Sequence, residues 1–179
     1  MKFHNDSADK TYLNSGYTDK RTKRQTLIID EVIGNAAVDK VTFTLDLQEP
    51  LIIDSLSDIY LDSFTTFKTK YKLTNYAAPN PPQHTFQPSS FLYLLRIDQF
   101  DVKTSSNDPL LRDKIIIPNE STDNAKTFSH RARKLNYICS INPQKLYKLN
   151  GTITNLAGAT AFEAATSRFI AEFVIIARD

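Results

Sequence analysis

The chain has 179 residues, with 22 lysines and arginines against 20 aspartates and glutamates, four glycines, one cysteine and no tryptophan. This length suits one domain, and 41% hydrophobic residues can build a sizeable core, which excludes the disordered and fibrous classes. The longest apolar runs fall far short of the roughly 20 residues that cross a bilayer, so we expect no transmembrane helix. The polar start of the chain lacks the apolar stretch of a secretory signal, and we therefore expect synthesis in the cytosol.

Positive charge is concentrated at the start of the chain. Residues 1–25 contain six basic and three acidic side chains, whereas the remaining residues carry a net charge of −1. The leading segment also lacks apolar periodicity, which is typical of a chain that stays extended until a partner orders it. We predict an extended basic arm over residues 1–25 and a single folded domain over residues 26–179.

Short segments rich in β-branched and aromatic residues follow the arm. In residues 41–47 apolar and polar side chains alternate strictly, which indicates a half-buried strand. Turn-forming sequences separate the segments, among them Gln48-Glu49-Pro50, the proline cluster at 79–82 and the polar stretch 119–134. Similar strand-like runs occur at residues 26–33, 58–69, 91–102, 114–117, 135–141, 145–155 and 167–177.

Eight short strands without interleaved helices predict an all-β antiparallel fold, either a sandwich, a barrel or a jelly roll. Two segments could still form a helical turn or two. They are residues 51–60 and the alanine-rich residues 157–165.

The last predicted strand has apolar residues on both faces. Phe169, Ala171, Phe173 and Ile175 share one face, and the other face carries Glu172 beside three further apolar residues. Either a loop of the same chain or another subunit must cover the second face, and cover by the same chain is the favoured alternative. The three candidates for subunit contacts on that face are Ile170, Val174 and Ile176.

No residue pattern predicts catalysis, a cofactor or a metal. Four scattered glycines cannot build a phosphate-binding loop or a dinucleotide fingerprint. The histidines His4, His84 and His130 have no metal-ligand spacing and are interpreted as solvated. We therefore name no catalytic, cofactor-binding or metal-binding residue.

Cys139 is interpreted as a buried structural thiol rather than a nucleophile. Strand alternation places it on one face with Leu135, Tyr137 and Ile141. The carboxylates of Asp54, Asp58 and Asp62 would be spread over ~27 Å of a strand, so they are interpreted as loop and rim groups.

Two basic clusters remain, Lys20-Arg21-Thr22-Lys23-Arg24 and His130-Arg131-Ala132-Arg133-Lys134. Nucleic-acid binding would favour aromatic side chains between the basic residues, or a strongly positive protein body. Neither feature is found here. Solvated arms and loops rank first, docking on an acidic protein surface second, and nucleic acid or an anionic membrane last. The candidate assembly contacts from these clusters are Lys20, Arg21, Lys23, Arg24, Arg131 and Arg133.

Three stretches carry a resemblance to a known family. They are Asn5-Asp6-Ser7-Ala8-Asp9-Lys10; residues 91–100 with Thr104-Ser105-Ser106-Asn107; and residues 140–146 running on to 149–154, ahead of the final apolar strand. On these stretches the chain resembles the single jelly-roll penton and minor capsid proteins of large icosahedral double-stranded DNA viruses. Lys10 stands where that family usually has arginine, and the proline loop and residues 119–134 match nothing in the pattern.

The resemblance implies a structural protein rather than an enzyme. It implies an eight-stranded jelly roll of two facing sheets, assembly as a homopentamer, and contacts with major and minor capsid proteins. It also implies location in the virion capsid after assembly in the host cytoplasm, with no small-molecule substrate. The basic arm could lie near an internal viral membrane.

Alternatives stay open beside this reading. One is a minor or cementing protein elsewhere in the shell. Another is a carbohydrate-binding module, with Tyr71, Tyr76, His84 and Phe86 around the proline loop as candidate contacts, although the absence of tryptophan weakens it. A jelly-roll enzyme ranks last because no residue spacing supports it.

Overall fold

The structure is a computed structural model that describes residues 24–33, 41–67, 73–75, 84–86, 92–119, 127–162 and 167–178. For residues 73–75, 84–86, 127–129 and 132–135 only the backbone is described. The described residues form ten strands and no helix. The strands are β1 (Arg24–Val32), β2 (Thr42–Ile53), β3 (Ser57–Phe67), β4 (Leu73–Asn75), β5 (His84–Phe86), β6 (Leu92–Ile97), β7 (Ile115–Pro118), β8 (Thr127–Ile141), β9 (Gln144–Thr154) and β10 (Arg168–Ala177).

Eight of these strands form two four-stranded antiparallel sheets. The strand order is β1-β10-β3-β8 in the first sheet and β2-β9-β6-β7 in the second, while β4 and β5 pair as a separate short hairpin. The prediction of an all-β antiparallel sandwich is confirmed at this level. Its physical basis is the alternation of apolar and polar residues, which gives each strand one face to bury.

The core lies between the two sheets. Phe43 of β2 meets Phe169 of β10 with ring centroids 5.4 Å apart, and Phe64 of β3 meets Tyr93 of β6 at 5.3 Å. These aromatic pairs join strands of opposite sheets, and all four side chains are buried. Edge-to-face and tilted ring contacts of this kind add specific geometry to the apolar area that they bury.

Gly151 is required by the close approach of β9 to its neighbours. A Cβ built on Gly151 would lie 2.2 Å from the backbone oxygen of Arg96 and 2.4 Å from the ring of Phe43. Only hydrogen fits there, so glycine allows the Phe43 ring and the Arg96 carbonyl to approach β9 closely.

The strand β2 is longer than predicted. Gln48-Glu49-Pro50 was expected to form a loop and residues 51–60 a helical turn, but both lie mainly in strands β2 and β3. The pairing of β2 with β9 shifts between Asp46 and Leu51, so the Gln48-Glu49-Pro50 segment forms an irregularity in the ladder. Proline is tolerated because β2 is an edge strand, where a missing N–H removes no necessary ladder bond.

The strand β8 also begins earlier than predicted. Residues 127–134 belong to the strand although the polar stretch 119–134 was expected to be a loop; residues 120–126 lie outside the described part. Ile59 pairs with Cys139 and Tyr60 pairs with Tyr137, so Ile138 is an extra residue in β8. This bulge reverses the alternation, and Cys139 is buried while Tyr137 is exposed. The prediction that these two side chains share a face is therefore wrong.

The predicted helical turn at residues 157–165 is not formed by its described residues, 157–162. Instead, the side chain of Asn155 accepts hydrogen bonds from the backbone N–H groups of Ala157 (2.8 Å) and Ala159 (3.1 Å). Asparagine favours such a local turn over a helix because its side chain competes for the backbone donors.

The first strand starts at Arg24, two residues before the predicted domain boundary. Gln25 is part of the folded body because its side-chain Nε2 donates to the backbone oxygen of Ile52, 2.9 Å away. This bond joins β1 to β2 at one side of the sandwich. The rest of the predicted arm, residues 1–23, lies outside the described residues.

Candidate functional site

The outer face of the first sheet brings together most of the described candidate contact residues. The strand registers align its outward side chains in five rows that run from β1 through β10 and β3 towards β8. The rows contain Arg24, Ile176, Asp58 and Ser140; Thr26, Val174, Tyr60 and Tyr137; Ile28, Glu172, Ser63 and Arg131; Asp30, Ile170 and Thr65; and Val32, Arg168 and Phe67. We call this surface the β1–β8 face.

Large apolar side chains on the β1–β8 face are open to solvent. Ile28 is 60% exposed, Val32 is 52% exposed and Tyr137 is 55% exposed. Ile170 and Ile176 are half-buried beside them. Scattered exposed apolar residues are ordinary, but Ile28 and Val32 lie two rows apart on β1 with half-buried Ile170 in the row between them, an arrangement that suits contact with another protein.

An ion pair lies between the two exposed β1 residues. Arg168 of β10 donates two hydrogen bonds to the carboxylate of Asp30 of β1. These bonds hold the pKa of Asp30 below its ordinary value of 3.8. Because both side chains are more than a third exposed, solvent screens the pair and it adds little to the stability of the fold. Its main effect is that the two charges neutralise each other.

A second polar cluster anchors the end of β10. Arg178 donates to Asp58 at 2.9 Å through Nε and to the Ser140 hydroxyl at 2.6 Å, while Ser140 donates to Asp58 at 2.8 Å. The Tyr137 hydroxyl lies 2.9 Å from Ser140 and must be the donor, since the single Ser140 proton goes to Asp58. The hydrogen bonds from Arg178 are the main reason that the pKa of Asp58 lies below its ordinary value.

The middle row contains a carboxylate near a basic residue. Ser63 donates to Glu172 at 3.2 Å, and Arg131 of β8 lies opposite Ser63 in the register. Arg131 is exposed, so its guanidinium is accessible to a partner. The row therefore places an apolar group, an acid and a base across the face in that order.

The structure places the predicted contact residues unequally. Arg24, Arg131, Ile170 and Ile176 lie on the β1–β8 face. Val174 lies in the same register but is fully buried within the single chain, so its expected role as an accessible contact is wrong. Val174 is thus covered within the single chain, whereas Ile170 and Ile176 on the same face are only half-buried. The side chain of Arg133 is not described, and Lys20, Arg21 and Lys23 lie outside the described residues.

Sequence reasoning missed the exposed apolar side chains of this face. Ile28 and Val32 belong to β1, where they alternate with buried Leu27 and Ile29. That alternation was available in the sequence and already marked one face as outward. Tyr137 could not have been found in the same way because the bulge at Ile138 decides its direction.

The remaining candidates for chemistry are placed as follows. Burial raises the pKa of the Cys139 thiol to about 11, and the thiol is therefore protonated at neutral pH, as expected of a structural cysteine. His84 and Phe86 belong to β5, where only the backbone is described, while Tyr71 and Tyr76 are outside the described residues. Within the described ranges, no group of three or more histidine, cysteine or acidic residues could hold a metal ion.

No model of a known protein family matches the sequence, and no similar sequence was found among curated proteins. None of the described residues belongs to a helix that could cross a membrane.

Proposed function

We propose that the chain is a structural subunit of a viral capsid with a single jelly-roll fold. The observation that carries this proposal is the nesting of the strand pairs. The first strand of the sandwich pairs with the last (β1 with β10), the second with the second-last (β2 with β9), the third with the sixth (β3 with β8) and the fourth with the fifth (β6 with β7).

Nested pairing of this kind is what a long antiparallel hairpin produces when it is rolled into two sheets, which is the jelly-roll arrangement of many capsid proteins. Lectin domains and cupins share the arrangement, so the fold alone does not choose among them. The resemblance of the three sequence stretches favours the capsid class.

The β1–β8 face supports a role in assembly. Contact with a neighbouring subunit would remove exposed Ile28 and Val32 from water, and this burial would stabilise the association. The acid Asp30 between them is already paired with Arg168, so covering this part of the face leaves no isolated charge. Pairing lowers the electrostatic cost of burying these two charges, because a lone charge would lose its hydration without compensation.

The proposed subunit forms a homopentamer at a vertex of the shell and contacts major and minor capsid proteins. It has no enzymatic role and no small-molecule substrate, and its basic leading arm contacts neighbours or an internal membrane. The proposed location is the virion capsid, after assembly in the host cytoplasm. A minor position elsewhere in the shell is the alternative, and the mass of the assembly distinguishes the two.

The test is the solution mass of the full chain, measured by light scattering coupled to size exclusion at two protein and two salt concentrations. We expect a discrete species near five times 20.3 kDa. Ile28→Asp should shift this species towards monomer, because the new carboxylate lies beside Glu172.

The matched control is Thr44→Asp. Thr44 is exposed on β2, the corresponding edge strand of the second sheet, and its substitution should leave the mass unchanged. A monomer under all four conditions would contradict the pentameric vertex subunit and favour the minor position. A pentamer insensitive to Ile28→Asp would contradict the assignment of the interface to the β1–β8 face.

A further inference from the structure

A hollow opens in the loop that joins β6 to β7. Its volume is about 390 Å³. The residues around it are Lys103, Thr104, Ser105, Ser106, Arg112 and Asp113. They include two cationic side chains and three hydroxyl groups, but no large apolar side chain. The hollow is therefore suited to a small polar ligand.

The loop around this hollow is held in place by its own hydrogen bonds. Asp108 receives a hydrogen bond on its side-chain Oδ1 from the N–H of Leu110 at 2.8 Å, and its own N–H donates to the hydroxyl of Ser106 at 3.0 Å. Lys114 closes the turn by donating from Nζ to the Leu110 oxygen at 2.7 Å. These bonds fix the backbone of the loop and the Ser106 hydroxyl, so a ligand would meet part of its site already ordered.

Several hydrogen-bond donors around the hollow are available to a ligand. Within the described part of the chain, no carboxylate pairs with Arg112. Lys103 forms an ion pair with Asp101, with its Nζ 3.3 Å from the carboxylate. The pair is exposed and adds little stability, so the ammonium group can also bind a ligand. Ser106 accepts a hydrogen bond from Asp108, which leaves its hydroxyl proton available to donate.

We propose that this hollow binds a tetrahedral oxyanion, a sulfate or phosphate group, through Arg112, Lys103 and the hydroxyls of Ser105 and Ser106. Oxyanions accept several charge-assisted hydrogen bonds at once, and a guanidinium supplies two of them in a fixed fork. The site goes beyond the proposed role in assembly and does not depend on it, since the ligand binds to the single folded chain.

Asp113 provides a distinctive test of this proposal. Its carboxylate lines the same hollow and opposes an anion. Its backbone has a positive φ of 58°, a conformation that asparagine accepts as readily as aspartate. Asp113→Asn therefore removes the negative charge without straining the turn, and it should strengthen anion binding. A purely structural role of the loop would not produce that gain.

The experiment follows backbone amide signals of the isotope-labelled full chain during titration with inorganic sulfate and, separately, inorganic phosphate. We expect saturable shifts of the Ser105, Ser106 and Arg112 signals that weaken as ionic strength rises. Arg112→Gln should weaken binding about tenfold, and Asp113→Asn should strengthen it about threefold. Arg96→Gln is the matched control, since Arg96 is an exposed arginine of β6 that does not line the hollow and pairs with Asp98 at 3.2 Å, so its substitution should not affect binding.

A monosaccharide sulfate and glycerol phosphate, titrated in the same way, distinguish a sulfated glycan from a phosphate ester as the source of the group. Tighter binding of either one supports the proposal and names its source. Absence of saturable shifts with all four compounds would overturn it. Equal weakening by Arg112→Gln and Arg96→Gln would also overturn it, as would weaker binding of Asp113→Asn. The amide spectrum of each variant shows directly that the chain is folded.

Discussion

The outer faces of the two sheets differ in chemistry although both belong to the same sandwich. The β1–β8 face carries exposed Ile28 and Val32 next to the ion pair of Asp30 and Arg168. On the second sheet the central outward rows contain Thr42, Thr152 and Arg96 in one line, and Thr44 and Asn150 in the next. Threonine and asparagine at these positions form a hydrated surface, and the exposed apolar residues of this sheet, Ile52, Ile116 and Tyr147, lie outside these rows.

This difference indicates which face can lose its water at low cost. Removing water from threonine and asparagine breaks hydrogen bonds that a partner must replace. On the β1–β8 face, by contrast, Ile28 and Val32 are apolar and the charges of Asp30 and Arg168 are paired within the chain. Exposed Arg24 and Arg131 are the charged groups for which a partner must supply an acid. The comparison therefore predicts that association uses the first sheet and that the second sheet remains solvated.

The largest expected effect concerns the core that both faces share. Gly151→Ala should prevent stable folding, with a loss of about 4 kcal/mol or more, because the added methyl group would overlap backbone and ring atoms. Urea unfolding followed by circular dichroism measures the loss. Gly158→Ala is the control: its methyl group would lie 3.4 Å from Leu110, and only the positive φ of 73° is unfavourable, so about 1 kcal/mol is expected. Equal stability of Gly151→Ala and the wild type would contradict the packing of β9 under Phe43.

A second test concerns the bulge that separates Cys139 from Tyr137. With the pKa of the thiol raised from 9.0 to about 11, the thiolate fraction falls about a hundredfold, and alkylation by iodoacetamide at neutral pH should be slower by at least that factor than for a free thiol. Mass spectrometry measures the rate against a cysteine peptide. Tyr137, in contrast, should be nitrated readily because it is exposed. Rapid alkylation of Cys139 in the folded chain would show that it lies on the outer face.

The polar cluster at the end of β10 predicts a pH dependence. The pKa of Asp58 is lowered by its hydrogen bonds, so its contribution is present above the ordinary value of 3.8 and is lost as the pH falls through the lower pKa of the folded state. Asp58→Asn should cost about 1 kcal/mol at neutral pH, since the half-buried carboxylate accepts charge-assisted bonds from an arginine that solvent partly screens. Urea unfolding at neutral pH and below pH 4 measures the difference. A variant deficit that persists undiminished below that range would contradict the role of the ionised carboxylate.

The smallest effect is expected for the exposed ion pair of the β1–β8 face. Asp30→Asn should cost less than about 1 kcal/mol because both partners are in contact with solvent. The lowered pKa of Asp30 gives this contribution the same sign of pH dependence as that of Asp58. If the face is an interface, the variant should weaken association more than it weakens folding, since burial removes the solvent that screens the pair. Unfolding by urea and solution mass at several concentrations provide the two measurements.

The strands with regular alternation were predicted closely. Residues 145–155 and 167–177 correspond to β9 (Gln144–Thr154) and β10 (Arg168–Ala177) within a residue at each end. The predictions failed where another part of the chain overrides the local preference. Pro50 suggests a turn, but the edge position of β2 accepts it, and residues 127–131 extend β8 because β3 offers them a strand to pair with.

The candidate site was predicted only in part. Ile170 and Ile176 were identified because the pattern of β10 leaves them opposite the core, and Arg24 and Arg131 because of their charge. Val174 follows the same pattern but is shielded within the chain. Burial depends on what packs over a residue, which the period of its own strand does not contain.

The sequence by itself determined the all-β class and the inward face of each regular strand, because the two-residue period of a strand is a local property of neighbouring side chains. The tertiary structure decided the nested strand order, the bulges that redirect Tyr137 and Cys139, and the joining of Arg178 to Asp58 across 120 positions. These features arise from contacts between segments far apart in the chain. Their geometry depends on how the two sheets pack face to face around a common core, which the order of residues within one strand does not contain.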